Sequence, residues 1–520
     1  METAKRTSNS IRNSLFGIGS QIIIVLIGFF TRSVFLKYLS EDYLGLNGLF
    51  SNVISILSLT ELGFGTAAIF SLYKPLAEKD EQKVAALMNL YAKIYHVMFA
   101  VVSILGLVLT PFIRYLIKDM PEDIPDIYII YLLFVLNSAL SYLFAYKRSL
   151  LFADQQNFKI SAVTAIFKIL LAAVQITGLV LTGSYYAYLI SMIVLVFLEN
   201  VVLSLMVDRH YPYLRKYKKA QVDDVTKKRL ISDTKALMMH KVGSIAVYQT
   251  DNLITSAFVN LATVGLYSNY ELIANSLRQL ITSMTEGMKA SIGNYNASEG
   301  PEKRLAFFKK YDLLLHLINS FCTVSMFCLF NPFIGLFFGK KYLFDMPLVL
   351  IISIAFYVRG MRVSFNTIKE TCGIFRPDRY KPLFEAGGNV VLSIILVKLI
   401  GFPGVILGTI ITTLLICYPI EVYVTCKYAF ESGVALYYKV LLKNSVLLTL
   451  QLALTYGLCL LLPGDGFLNL LLRAVVCLIL PNALNLLFYW RTEEMRYFRR
   501  LGGAMLRKLP FMKNRPHTDG

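Results

Sequence analysis

The sequence predicts an all-α polytopic membrane protein with about fourteen transmembrane helices, and three observations carry that expectation. Apolar stretches recur along the chain at lengths near the ~20 residues a helix needs to cross a hydrocarbon core about 30 Å thick. Hydrophobic residues fill 56% of the 520 positions and charged residues only 16%, so a soluble domain carrying such blocks would aggregate. Basic residues gather in every second gap between the stretches, as in loops that stay on the cytoplasmic side.

The spans follow in order. The first, 12–34, is preceded and entered by Ser8, Asn9, Ser10, Asn13, Ser14, Ser20 and Gln21 and runs past signal-peptide length, so it reads as a retained helix with a polar or protein-packed face. Spans 46–72, 86–111, 124–146, 160–181 and 184–207 complete an N-terminal six-helix bundle over 1–207. The longest inward gap, 208–235, is a basic cytoplasmic connector. Spans 236–258, 263–288, 311–338, 346–368, 381–400 and 402–425 form a second bundle over 236–425. Two additional helices, 438–462 and 467–490, occupy 426–490, and a basic tail fills 491–520. A faint internal repeat supports this division: Ser33-Val-Phe-Leu36 and Gly45-Leu46 recur as Ser256-Ala-Phe-Val259 and Gly265-Leu266. A shift of six crossings is even, so the bundles would be parallel repeats about an axis along the membrane normal.

Of the 52 Lys and Arg, 39 fall in the gaps assigned inward, seven in the outward set and six inside spans, which favours an even helix count with both termini cytoplasmic. The formal charge of +19 and the run Arg215, Lys216, Lys218, Lys219 therefore point to anionic membrane lipid, not to nucleic acid. No GxxxxGK[ST] motif occurs, which argues against ATP hydrolysis in this chain. The seven cysteines lie in or beside apolar spans without CxxC spacing and read as small hydrophobes, with no metal, catalytic or cofactor site expected.

Ionised groups at bilayer depth cost about 2.5–3.5 kcal/mol each unless they face water, a partner or a polar interior. The cations Arg32, Lys168, Arg278, Arg359 and Arg362 are therefore candidate substrate-binding residues, because guanidinium and ammonium groups suit phosphate oxygens. Asn275 lies between Glu271 and Arg278 on one face of the eighth span, and Tyr270 offers a ring and a hydroxyl to a sugar. Glu61, Asp251 and Glu271 are candidate coupling or cavity acids. A packed interhelical ion network is the competing reading of the same charges.

Phe30-Thr-Arg-Ser-Val-Phe35, Tyr43-Leu-Gly-Leu-Asn-Gly-Leu-Phe50 and Tyr248-Gln-Thr-Asp-Asn252 leading to Val264-Gly-Leu-Tyr-Ser-Asn-Tyr270 resemble the bacterial polysaccharide transporter family. These are lipid-linked oligosaccharide flippases in the superfamily that also holds multidrug and toxin extruders and the lipid II flippase. The resemblance spans roughly residues 10 to 490. It implies a transporter, not an enzyme, that moves an undecaprenyl-pyrophosphate-linked repeat unit across the bacterial plasma membrane by alternating access, for capsule or exopolysaccharide. It also implies two bundles around a cavity to which Arg32 and Arg278 contribute, and a polysaccharide polymerase and assembly proteins as partners. Coupling to membrane potential, H+ or Na+ stays open at this point. The competing reading is a small-molecule or drug exporter of related fold.

Overall fold

A computed structural model describes residues 19, 23–58, 64–118, 124, 126–154, 156–224, 226–228, 250–374, 377–462, 464 and 466–508. Among them the regular structure is helical throughout. The helices are α1 (23–38), α2 (Glu41–Leu57), α3 (Phe64–Ala77), α4 (Glu81–Leu109), α5 (Ile127–Ala153), α6 (Asn157–Thr182), α7 (Tyr185–His210) and α8 (250–258). There follow α9 (Leu261–Ser298), α10 (Pro301–Phe337), α11 (Met346–Thr371), α12 (Lys381–Ile400), α13 (Phe402–Phe430), α14 (Ala435–Leu460), α15 (Phe467–Tyr489) and α16 (Glu493–Lys508).

Ten helices among the described residues are long and apolar enough to cross a membrane. The shortfall from fourteen has identifiable causes. The first expected span lies partly and the seventh largely outside the described residues, and the second falls across α2 and α3, with 59–63 outside them. The eighth corresponds to α9, whose 38 residues are ample in length but carry Ser268, Asn269, Glu271, Asn275, Arg278 and Gln279, too polar a run to qualify on hydropathy.

Helix ends follow local chemistry. Asp80 caps α4 by accepting the Lys83 N–H at 2.9 Å. Gly183 closes α6 in the left-handed region at φ 61°, where its N–H bonds the Leu179 carbonyl, and α7 begins two residues later. Gly300 and Pro301 open α10 as N-cap and first helical residue. Within α13, π turns at Thr413–Cys417 and Cys426–Phe430 flank the stretch Tyr418–Thr425, and Pro419, which lacks an N–H, sits just past the first of them.

The chain divides into two compact units: residues 1–268 with 386–405, and 269–385 with 406–520. In the first unit Phe64, Leu72, Tyr91, Tyr95, Tyr142 and Leu150 form an aromatic-rich core. Lys147 and Arg148 on α5 ion-pair with Asp208 and Glu199 on α7 at 2.7 and 2.9 Å.

The first unit also contains the crossing of α2 with the first turns of α9, through glycines that the sequence marks as a repeat. A Cβ on Gly45 would stand 2.2 Å from the Leu261 carbonyl oxygen, and one on Gly265 would stand 2.1 Å from that of Glu41. The contact is reciprocal: each glycine meets the carbonyl four residues before the other, and both pairs obey one offset of 220 residues. Close backbone approach of this kind requires small residues. Gly45→Ala and Gly265→Ala should each destabilise by about 1–3 kcal/mol, the range for overpacking. Detergent melting of the purified protein checks this, with Gly28→Ala, whose Cβ meets nothing within 4 Å, as the neutral control.

In the second unit Tyr270 is wholly buried and its hydroxyl joins two segments. It donates to Asn331 Oδ1 at 2.7 Å and accepts the Phe344 N–H at 2.8 Å. Its ring stacks on Phe344 with centroids 4.9 Å apart.

Candidate functional site

The charges expected at bilayer depth separate into those held in buried networks and those on half-buried helix faces. Arg362 belongs to the first class. Its guanidinium grips Glu385 with Nη1 at 2.6 Å and Nη2 at 3.0 Å, and also donates to Glu421 through Nε at 3.2 Å and Nη2 at 2.9 Å. Lys381 ion-pairs with Glu421 and lies 3.7 Å from Glu385. All four residues are buried, and Glu421 is fully enclosed. Two cations and two carboxylates cancel, which is how a membrane interior tolerates formal charges. The Arg362 fork, expected to suit a phosphate, thus lies on two carboxylates. Tyr270, expected to meet a sugar, has its ring and hydroxyl engaged inside the second unit.

The remaining cations stand differently. Arg32 on α1 donates to the Ser268 hydroxyl at 2.7 Å, a neutral acceptor. Arg278 on α9 donates to Asn275 Oδ1 at 2.9 Å, and Asn275 is exposed on the same face. Glu271 and Arg359 are half-buried on α9 and α11. Although Arg359 and Arg362 are three residues apart, only Arg362 turns into the carboxylate network. Lys168 is half-buried within the apolar α6 and has no hydrogen-bond or ion-pair partner among the described residues. It lies one turn beyond Thr164, whose hydroxyl donates to Glu199 at 2.8 Å, so that acid is already engaged by Thr164 and Arg148.

Among the candidate acids, Asp251 is buried on α8 and its backbone carbonyl accepts the Thr255 hydroxyl at 2.7 Å. The adjacent Thr250 bonds Asn389 of α12 at 3.2 Å, which gives the polar run of α8 a polar surface to pack on. Glu61, with His240 and Lys241, lies outside the described residues.

Several residues not among the candidates above hold prominent places. Glu421 sits inside the twelfth expected span, where a lone acid in an apolar block was the available signal. Asp312 falls at the edge of the ninth expected span, yet α10 begins at Pro301 and leaves it buried. Cys328, Cys459 and Cys477 come from α10, α14 and α15, and their sulfurs lie within 4.8 Å of one another as free thiols. Spacing along the chain cannot reveal a cluster built from three helices.

The described residues thus form a helical architecture with ten helices long and apolar enough to cross a membrane, and Lys168 and Arg359 lie on two of them. Residues 10–287, more than half of the chain, match the family model described as polysaccharide biosynthesis protein, and the chain belongs to that family. No curated protein matches it. Among solved structures, the lipid II flippase MurJ in an inward closed conformation aligns with a TM-score of 0.64 at 14% identity, covering 91% of this chain and 98% of that one. An inward-facing multidrug resistance MATE transporter gives 0.64 at 11% identity, covering 80% and 98%. The Vibrio cholerae MATE transporter VcmN, in a mutant form, gives 0.57 at 11%, covering 83% and 99%. The chain thus belongs to the polysaccharide biosynthesis protein family and shares its fold with MurJ and the MATE transporters.

Proposed function

We propose that this protein is a flippase for an undecaprenyl-pyrophosphate-linked oligosaccharide, moving the repeat unit from the inner to the outer leaflet of the bacterial plasma membrane. The family match over residues 10–287 carries this reading, because that family serves polysaccharide biosynthesis. The fold alone does not separate it from drug export, since MurJ and a MATE transporter align with equal TM-scores. The side chains favour the anionic lipid. Lys168, Arg278 and Arg359 place cations on spanning helices, and Arg32 adds a fourth.

The reading keeps fourteen helices, arranged as two six-helix bundles with a connector at 208–235 and an added C-terminal pair, and puts both termini in the cytoplasm. Pyrophosphate and sugar cannot cheaply enter hydrocarbon, whereas the isoprenoid chain can stay in it. The head group therefore follows the cations while the lipid tail remains in the bilayer, and alternating access exposes it outside with no covalent step. Anionic lipids contact the basic loops, and a polymerase consumes the delivered unit.

Lys168→Ala should lower translocation about 10–100-fold, the equivalent of one charge-assisted hydrogen bond of about 1.5–3 kcal/mol, with Lys168→Arg retaining most of it. Depleting the protein should make a lipid-linked glycan accumulate. Mass analysis of that lipid after complementation with each variant reads both effects. Accumulation of no such lipid, with export of a cationic drug lost instead, would establish the exporter reading.

A further inference from the structure

We propose that Asp312 is a proton-binding site that couples proton movement to transport, a role that rests on the flippase reading for its cargo but not for its chemistry. Asp312 lies on α10 roughly 16 Å along the axis from Pro301 at 1.5 Å per residue, and only 3% of it is exposed. Its one side-chain hydrogen bond among the described residues comes from the Ser364 hydroxyl, at 2.8 Å. No Lys, Arg or His makes an ion pair with it among those residues. The nearby quartet of Arg362, Lys381, Glu385 and Glu421 is already neutral in itself and has no cation to lend. A carboxylate so placed keeps its charge at high cost, and a bound proton removes that cost without a coordination shell.

Access comes from a cavity of about 270 Å³ inside the second unit, whose wall includes Asp312 together with Lys309, Tyr437, Lys443, Tyr489 and Glu494. The wall also includes Ser432 and Gly433, in a loop the basic-residue count assigns to the cytoplasm. The groups that face or act on Asp312 come from every helix packed there. They are Lys309 and His316 on α10, Tyr357 on α11, Tyr418 and Cys426 on α13, Tyr437 and Lys443 on α14, Tyr489 on α15 and Glu494 on α16. Lys443 is held over the Tyr489 ring, 4.5 Å from its centroid, and does not reach the carboxylate. Two lysines in the wall and a single hydroxyl ligand make a poor seat for a sodium ion, which takes several oxygens, and leave the proton as the better occupant.

A second observation extends the site inward. His316, one turn beyond Asp312, is wholly buried; its Nδ1 is 2.8 Å from the Tyr357 hydroxyl and its Nε2 has no hydrogen-bond partner among the described residues. One further turn brings Ser320, which accepts from Asn485 at 3.2 Å, and Asn485 in turn accepts from Gln451 at 2.8 Å. Asp312, His316 and Ser320 thus form a polar file along α10 against the C-terminal helix pair. The coupling follows from burial. A state with the cavity open to water tolerates the charged carboxylate, a state with it closed tolerates only the neutral one, and the proton biases the equilibrium between them.

The test uses the full chain in liposomes. Infrared titration of the purified protein should show a protonated-carboxyl band that is absent from Asp312→Asn and kept by Asp312→Glu. An imposed pH gradient should raise translocation of lipid-linked glycan by the wild type and by Asp312→Glu, and the increment should vanish in Asp312→Asn. A gradient response unchanged in folded Asp312→Asn, an unaltered band, or a response to sodium alone would each overturn the proposal. If the band behaves as expected while even the wild type moves no lipid-linked glycan, the proton site stands and the flippase reading falls.

Discussion

Arg362→Ala is expected to destabilise the second unit by about 3–5 kcal/mol, the cost of breaking a buried ion network by removing one member. The guanidinium contacts both Glu385 and Glu421, and without it Lys381 alone faces two enclosed carboxylates. One buried negative charge is then uncompensated. Arg362→Lys keeps the charge but not the planar fork that reaches both acids, so an intermediate loss should follow. Replacing all four members by apolar residues of similar volume should cost far less than the single change, because no orphan charge remains. Thermal unfolding in detergent, with membrane abundance as a second readout, checks each variant. Normal stability of Arg362→Ala combined with lost transport would return Arg362 to the substrate-binding group.

The double variant Arg278→Ala/Arg359→Ala is expected to show the larger functional effect, with abundance close to wild type. Both side chains are half-buried, in contrast to the enclosed Arg362, and Arg278 donates to the neutral Asn275. If each contributes a charge-assisted bond to a pyrophosphate of about 1.5–3 kcal/mol, the pair lowers translocation by roughly two to four orders of magnitude. Asn275→Ala should have a smaller effect, since it orients Arg278 without supplying charge. Transport of a neutral cargo, if the protein carries one, should be unaffected by the double change.

Helical membrane architecture was legible because hydropathy acts over whole segments and tolerates error in any one residue. The apolar blocks 346–368, 381–400 and 467–490 coincide closely with α11, α12 and α15. The site was less legible, and the reason is geometric. A charge in an apolar block announces that it needs a partner, but which partner depends on helices far apart in sequence. Arg359 and Arg362 look alike on paper; the π turn before Pro419 and the start of α12 bring Glu421 and Glu385 to only one of them. The neighbours of Tyr270 are likewise distant in sequence, Asn331 on α10 and Phe344 in the segment that follows it. Asp312 escaped notice because it stands at the very edge of the expected span 311–338, whereas the helix itself starts at Pro301 and carries it inward. By contrast, the paired glycines at 45 and 265 were visible as text, and their reciprocal contact supplies a physical reason for it.

The most direct measurement reconstitutes the purified chain in liposomes with an undecaprenyl-pyrophosphate-linked oligosaccharide in one leaflet and follows its appearance in the other with a membrane-impermeant glycan-modifying reagent. The account predicts rapid equilibration with the wild type, strong slowing with Arg278→Ala/Arg359→Ala, and competition by the same lipid but not by a cationic drug. Equal rates for wild type, the double variant and protein-free liposomes would contradict it.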